Sequence, residues 1–129
     1  MATVTLNRAS TVGGSDVPGL THEKAVSVTG SSWTKLQESL EIGTDVLINL
    51  AIDVSTVKFF RVHATTATTV KTNSSGAADD TLVLLAGRCY DFITGDLTTF
   101  LLGTDVTKIY VTNAAATVLT IEVLQDATP

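Results

Sequence analysis

Thr117-Val118-Leu119-Thr120-Ile121-Glu122-Val123-Leu124 is the stretch that decides the fold class. Thr117, Leu119, Ile121 and Val123 fall on one side of an extended backbone, and Val118, Thr120, Glu122 and Leu124 on the other, because side chains alternate with a period of two along a strand. Its β-branched residues are stiff about χ1 and pack well on a pleated surface. Upstream, Ile109 and Val111 oppose Lys108, Tyr110 and Thr112, and Thr112-Asn113-Ala114-Ala115-Ala116 supplies the tip of a terminal hairpin.

Similar runs recur towards the N-terminus at intervals of about ten residues, the spacing of a sandwich or barrel. They begin with Val26 and Val28, then Val46, Ile48 and Leu50, then Val57, Phe59 and Arg61 against Lys58, Phe60 and Val62. Thr68, Val70 and Thr72, the apolar run Leu82 to Leu85, Tyr90 with Phe92, and Thr98, Phe100 and Leu102 complete the set. Between them lie Asn73-Ser74-Ser75-Gly76-Ala77-Ala78-Asp79-Asp80, where Gly76 is the residue suited to positive φ, and the turn signals Ala86-Gly87, Thr94-Gly95-Asp96 and Gly103-Thr104-Asp105. The connections are too short for crossover helices, so the strands pair antiparallel. Eight or nine strands from Ala25 onwards predict an all-β fold, an antiparallel two-sheet β-sandwich, with a jelly roll favoured because a pair of cysteines flanking a tryptophan is missing.

Two segments depart from this pattern. In Ser31 to Leu40, Trp33, Leu36 and Leu40 have the spacing of a helix face, while Thr34, Leu36, Glu38 and Leu40 alternate as a strand would; the neighbouring strands favour the second reading. At the N-terminus Ala2-Thr3-Val4-Thr5-Leu6 alternates, but Ser10 to Gly19, with Gly13-Gly14 and Pro18-Gly19, is too rich in breakers for an internal strand. Residues 1–24 therefore read as an extended arm and 25–129 as the sandwich domain. Gly-Thr-Asp-Val occurs at 43–46 and again at 103–106, and with no further similarity it reads as coincidence.

Composition sets limits on function. The chain has 129 residues, of which 23 are Thr, 15 Val and 6 Ile, with 16 % charged residues and a net charge of −5. Its mean hydropathy of +0.33 argues against a disordered chain. An acidic domain lacks the Lys/Arg footprint that nucleic acid or an anionic membrane requires. The single cysteine, Cys89, excludes an intrachain disulfide. The first ten residues hold no signal-type apolar run, so synthesis in the cytoplasm without general export is expected.

The residues that could carry chemistry are scattered. His22 and His63 are far apart and in no metal-ligand spacing. Cys89 sits beside Arg88, which favours a thiolate, but a nucleophile also needs a base that the sequence does not place. Asp45, Asp53, Asp79, Asp80, Asp91, Asp96 and Asp105 stand near strand ends and in loops, where aspartates ordinarily bond turn amides, and no calcium-loop pattern occurs. No catalytic residue, cofactor or metal is therefore assigned. The threonine-rich faces, densest at Thr65 to Thr69, suit contact with another subunit.

Thr69 to Thr81 followed by Leu82 to Gly87, together with Ile109-Tyr110-Val111-Thr112-Asn113 through Gln125-Asp126, resembles small virion proteins of tailed bacteriophages, and within them capsid decoration, or cement, proteins. The resemblance covers about residues 55–126 and includes no catalytic motif. It implies a β-sandwich that assembles as a dimer or trimer on the capsid surface of the virion and binds across subunits of the major capsid protein. In that setting the arm would make the contact, through Ala2, Thr3, Val4, Thr5, Leu6, Val12 and Val17. The alternative is a carbohydrate- or receptor-binding module of a tail or fibre, with Trp33, Tyr90 and Tyr110 as aromatic platforms.

Overall fold

A computed structural model describes residues 2–14, 17–95 and 99–126, and the side chains of all of these except 8–14 and 17–24. In chain order the strands are β1 (Ala2–Gly14), β2 (Val17–Gly30), β3 (Ser32–Leu40), β4 (Gly43–Ile52), β5 (Val57–Ala64), β6 (Thr68–Thr72), β7 (Thr81–Leu84), β8 (Cys89–Ile93), β9 (Val106–Asn113) and β10 (Thr117–Gln125). A 3-10 turn at Val54–Thr56, capped by the Asp53 carboxylate, joins β4 to β5.

Strands β3 to β10 form a two-layer sandwich with sheet orders β3-β10-β5-β8 and β4-β9-β6-β7, all antiparallel. The order has a simple origin. The chain doubles back once at the β6–β7 loop, so that β3 pairs with β10, β4 with β9, β5 with β8 and β6 with β7. Wrapping this long ribbon into two layers lays β10 beside β5 and β9 beside β6. That wrap is a jelly roll.

The core lies between the layers, where each sheet turns one residue in two inward. Phe60, Val62 and Ala64 of β5 and Leu119, Ile121 and Val123 of β10 meet Leu50 and Ile52 of β4, Ile109 and Val111 of β9, Val70 of β6, and Leu82 and Leu84 of β7. Burying each larger aliphatic side chain contributes about 1.5–3 kcal/mol. At one end, Phe100 sits 5.3 Å from Phe60 and 4.8 Å from Phe92, ring centre to ring centre.

Several expectations are corrected here. The run Thr98, Phe100, Leu102 is not a strand: residues 99–102 belong to the β8–β9 connection, and Thr98 lies outside the described residues. This backbone is held by a side chain instead of a ladder, since the Leu101 N–H donates to the Tyr90 hydroxyl and that hydroxyl donates to the Thr99 carbonyl. Phe100 and Leu102 still reach the core, which explains their alternation. In the 73–80 loop the positive φ belongs to Asn73, at 65°, and not to Gly76. Asn73 is suited to it because its short amide bonds locally. It donates to Asp79 and to the Asp105 carbonyl and accepts from the Thr107 N–H. The two Gly-Thr-Asp-Val copies do different work: Asp45 takes φ 50° and donates its N–H to the Thr112 hydroxyl, whereas Asp105 accepts from the Val54 N–H.

Of residues 31–40, Ser32–Leu40 form a strand. Leu36 and Leu40 pack on the core, while Trp33 lies on the opposite face, so the helix-like spacing joined residues of two faces. The largest difference is at the N-terminus. The breaker-rich segment is extended, but it is paired: β1 and β2 form a hairpin of their own that runs from Ala2↔Gly30 to Gly14↔Val17. The run at Val26 and Val28 is the end of β2 and not a sandwich strand. Pro18 is tolerated because it falls at the irregularity between Val12↔Leu20 and Gly14↔Val17, where it has no partner in the register, and bulges accept proline.

Candidate functional site

The candidate site is the hairpin together with the sheet face on which it rests. The outward face of β3-β10-β5-β8 is ordered in rows, because residues directly opposite in antiparallel strands share a face. One row is apolar: Trp33, Leu124, Phe59 and Ile93. The next alternates in charge: Lys35, Glu122, Arg61 and Asp91. The third is polar: Gln37, Thr120, His63 and Cys89.

The hairpin covers Leu124, Phe59 and Ile93 of the apolar row. Leu6 packs on Phe59, Ile93 and Leu124, with Ala2, Val4, Val26 and Val28 around it. Phe59 and Leu124 are thereby 3 % and 0 % exposed although they point away from the sandwich core. Gly30 permits the approach: a Cβ there would stand 2.8 Å from the Gln125 carbonyl oxygen and 2.9 Å from Leu124 Cγ. At the other side of the sheet Val26 lies beside Gly95, just past the edge strand β8. The ribbon thus crosses the sheet from β10 to β8. From Val26 back to Val17, β2 continues for nine residues, roughly 30 Å at about 3.4 Å per residue.

The seven residues expected at an interface divide sharply. Ala2, Val4 and Leu6 face the chain's own sandwich, where Leu6 is buried and Ala2 and Val4 are partly buried. Thr3 and Thr5 are exposed on the far side, beside Ser27 and Thr29, and the Thr5 and Ser27 hydroxyls are 2.7 Å apart. Val12 pairs with Leu20 and Val17 with Gly14 in the backbone register, and their side chains lie outside the described residues, as does that of His22.

The chemistry weighed from the sequence can also be placed. The register sets His63 directly opposite Cys89, a neighbourhood no spacing rule would have found. Both lie on an open sheet face, and among the described residues no hydrogen bond orients the His63 ring as a nucleophile's base would need. Arg61 donates to Asp91 at 2.5 Å, and this hydrogen bond, with the Asp91 charge, holds the guanidinium above its ordinary pKa. Arg61 also lies over the Phe59 ring at 5.7 Å, so the charged row is tied to the apolar one.

The aspartates are engaged as turn caps. Asp53 accepts from the Ser55 N–H, Asp80 from Gly103 and Asp105 from Val54, while Asp79 accepts from Asn73 and Asp45 pairs with Lys71 at 3.5 Å. Among the described residues no group of three or more His, Cys, Asp or Glu is placed to hold a metal ion. Of the threonines of 65–69, Thr65, Thr66 and Thr68 are likewise occupied. Thr65 bonds to Thr117 and Val118, Thr66 to Thr117 and Ala116, and Thr68 to the Thr66 carbonyl, stitching the β5–β6 turn to β10. Beside that turn, Ser39, Leu40, Glu41, Thr65, Ala116, Thr117 and Val118 line a depression of about 200 Å³, smaller than pockets that enclose drug-sized ligands.

Of the three candidate platforms, Trp33 is 43 % exposed with one face stacked on Phe59 at 6.2 Å. Tyr90, on β8, is fixed by the bonds of its hydroxyl to the β8–β9 connection, and Tyr110 lies on the outer face of the other sheet, beside Lys71. Comparison with protein-family models, curated proteins and solved structures finds no match to this chain.

Proposed function

We propose that the protein is a structural virion protein that decorates a bacteriophage capsid and stabilises it by binding across subunits of the major capsid protein. The observation that carries this reading is the hairpin. It is clamped at its base by an apolar row, it presents the hydroxyls of Thr3, Thr5, Ser27 and Thr29 outward, and among the described residues no third strand pairs with either outer edge of its two strands. Such a ribbon offers backbone donors and acceptors to a neighbouring strand and small polar side chains to a mixed interface. An interface of even ~800 Å² per partner stabilises usefully, and many copies on one lattice multiply the effect through effective concentration.

The test uses particles lacking this protein. Adding the purified chain back is expected to restore resistance to heat, whereas a Thr3→Glu/Thr5→Glu variant with an unchanged melting temperature is expected to bind poorly and restore little. Equal survival of depleted and complete particles contradicts the proposal. A second reading, a glycan-binding module of a tail or fibre, draws on one observation, the half-exposed Trp33 ring. Glycan-array binding that disappears in Trp33→Ala would establish that reading in place of the first.

A further inference from the structure

We propose that two copies of this chain join through strand β7, edge to edge about a two-fold axis at Val83, so that the β4-β9-β6-β7 sheet continues from one molecule into the other. The sandwich has four margins, and three carry devices that keep a strand edge from pairing. β3 exposes Lys35, Gln37 and Glu38. β4 has two register irregularities and Asp45 at φ 50°. β8 holds Asp91 in its ion pair with Arg61, and its Ile93 lies under the hairpin. β7, Thr-Leu-Val-Leu, has no charge, proline or bulge and is protected only by being four residues long. Val83 and the adjoining Leu85 are 73 % and 65 % exposed.

The backbone is set for this pairing. The Thr72 N–H donates to the Asp80 carbonyl, and β6 and β7 then exchange bonds at every second residue, which turns the Leu82 and Leu84 groups towards β6. Those of Thr81 and Val83 face outward. Setting Val83 opposite Val83 places Thr81 opposite Leu85 and Leu82 opposite Leu84. Every pair then matches faces: the two Val83 side chains meet on the outer side and the leucines stay on the core side.

Charge selects a second copy as the occupant. Asp79 and Asp80 precede β7, and Arg88 follows it, exposed and without an ion pair to another described residue. An antiparallel two-fold brings the acidic end of one strand to the end of the other that carries Arg88, twice over. A parallel or unrelated strand gains no such match. The interface is independent of the hairpin, so its failure and the failure of capsid binding are separate results.

Sedimentation velocity on the full chain across the micromolar range is expected to show a dimer. Val83→Lys is expected to be monomeric and folded, with the circular-dichroism spectrum of the parent, since within one molecule the site is exposed. In a Cys89→Ser background, Val83→Cys is expected to give a disulfide-linked dimer under mild oxidation, because opposed hydrogen-bonded residues have Cα atoms about 5.5 Å apart, within disulfide reach. Leu47→Cys, exposed on the opposite margin of the same sheet, is expected to stay unlinked. A chain that is monomeric throughout, a dimer that survives Val83→Lys, equal linkage of both cysteine variants, or a trimer overturns the proposal; a two-fold pairing closes at two copies.

Discussion

Single residues set two unforgiving points in the molecule, Gly30 and Asn73. Gly30 stands where the hairpin presses on β10, and a methyl group there would meet a backbone oxygen at 2.8 Å, which cannot rotate away. Gly30→Ala is expected to cost about 1–3 kcal/mol, as overpacking does, read as a fall in the urea midpoint at unchanged slope. Asn73 combines positive φ with bonds to Asp79, Asp105 and Thr107. Asn73→Ala loses both and is expected to lose about 1–3 kcal/mol. Asn73→Gly keeps the backbone freedom and should recover part of that loss in the same denaturation series. Asp91→Asn is expected to change stability by no more than about 1 kcal/mol, because the Arg61 partner is partly exposed and water screens the pair.

The element that repays attention is the hairpin. Its hold on the sandwich runs through Leu6, Phe59, Ile93 and Leu124, apart from the main core, so its opening need not unfold the rest. Leu6→Ala is expected to raise amide hydrogen exchange across 2–7 and 25–30 while the amides of β5 and β10 keep their protection. Equal loosening of both regions would mean that the hairpin and the sandwich fold as one unit. Only Ser31 separates β2 from β3, so the path of the hairpin is tied closely to the start of the sandwich.

For the whole molecule, the wrapped ribbon sets the folding problem. Closing β3 on β10 brings Leu36 opposite Ile121, residues from opposite ends of the sandwich sequence. Such pairings are slow because loop closure precedes the contacts that reward it, and refolding in roughly milliseconds to seconds is expected. Trp33 is the single tryptophan, and it stacks on Phe59 beside Leu124, so stopped-flow fluorescence reports the docking of β3 against the sheet. A microsecond phase carrying the full amplitude would contradict this account.

The sequence by itself determined the class. Alternation at Thr117 to Leu124, short polar breaks and connections too brief for helices leave few arrangements other than an antiparallel sandwich, because period-two patterning and short loops are local properties. The aspartate caps were legible for the same reason. What only the tertiary structure decided is which distant segments share a face. Neither His63 against Cys89 nor the charged row through Lys35, Glu122, Arg61 and Asp91 has any signature along the chain, since the register that aligns them comes from pairing across long separations. The N-terminal segment shows the boundary most clearly. Its glycines and proline mark a chain unsuited to the interior of a sheet, yet a ribbon of two edge strands accepts them, and the apolar row that anchors its base exists only once β10, β5 and β8 lie side by side.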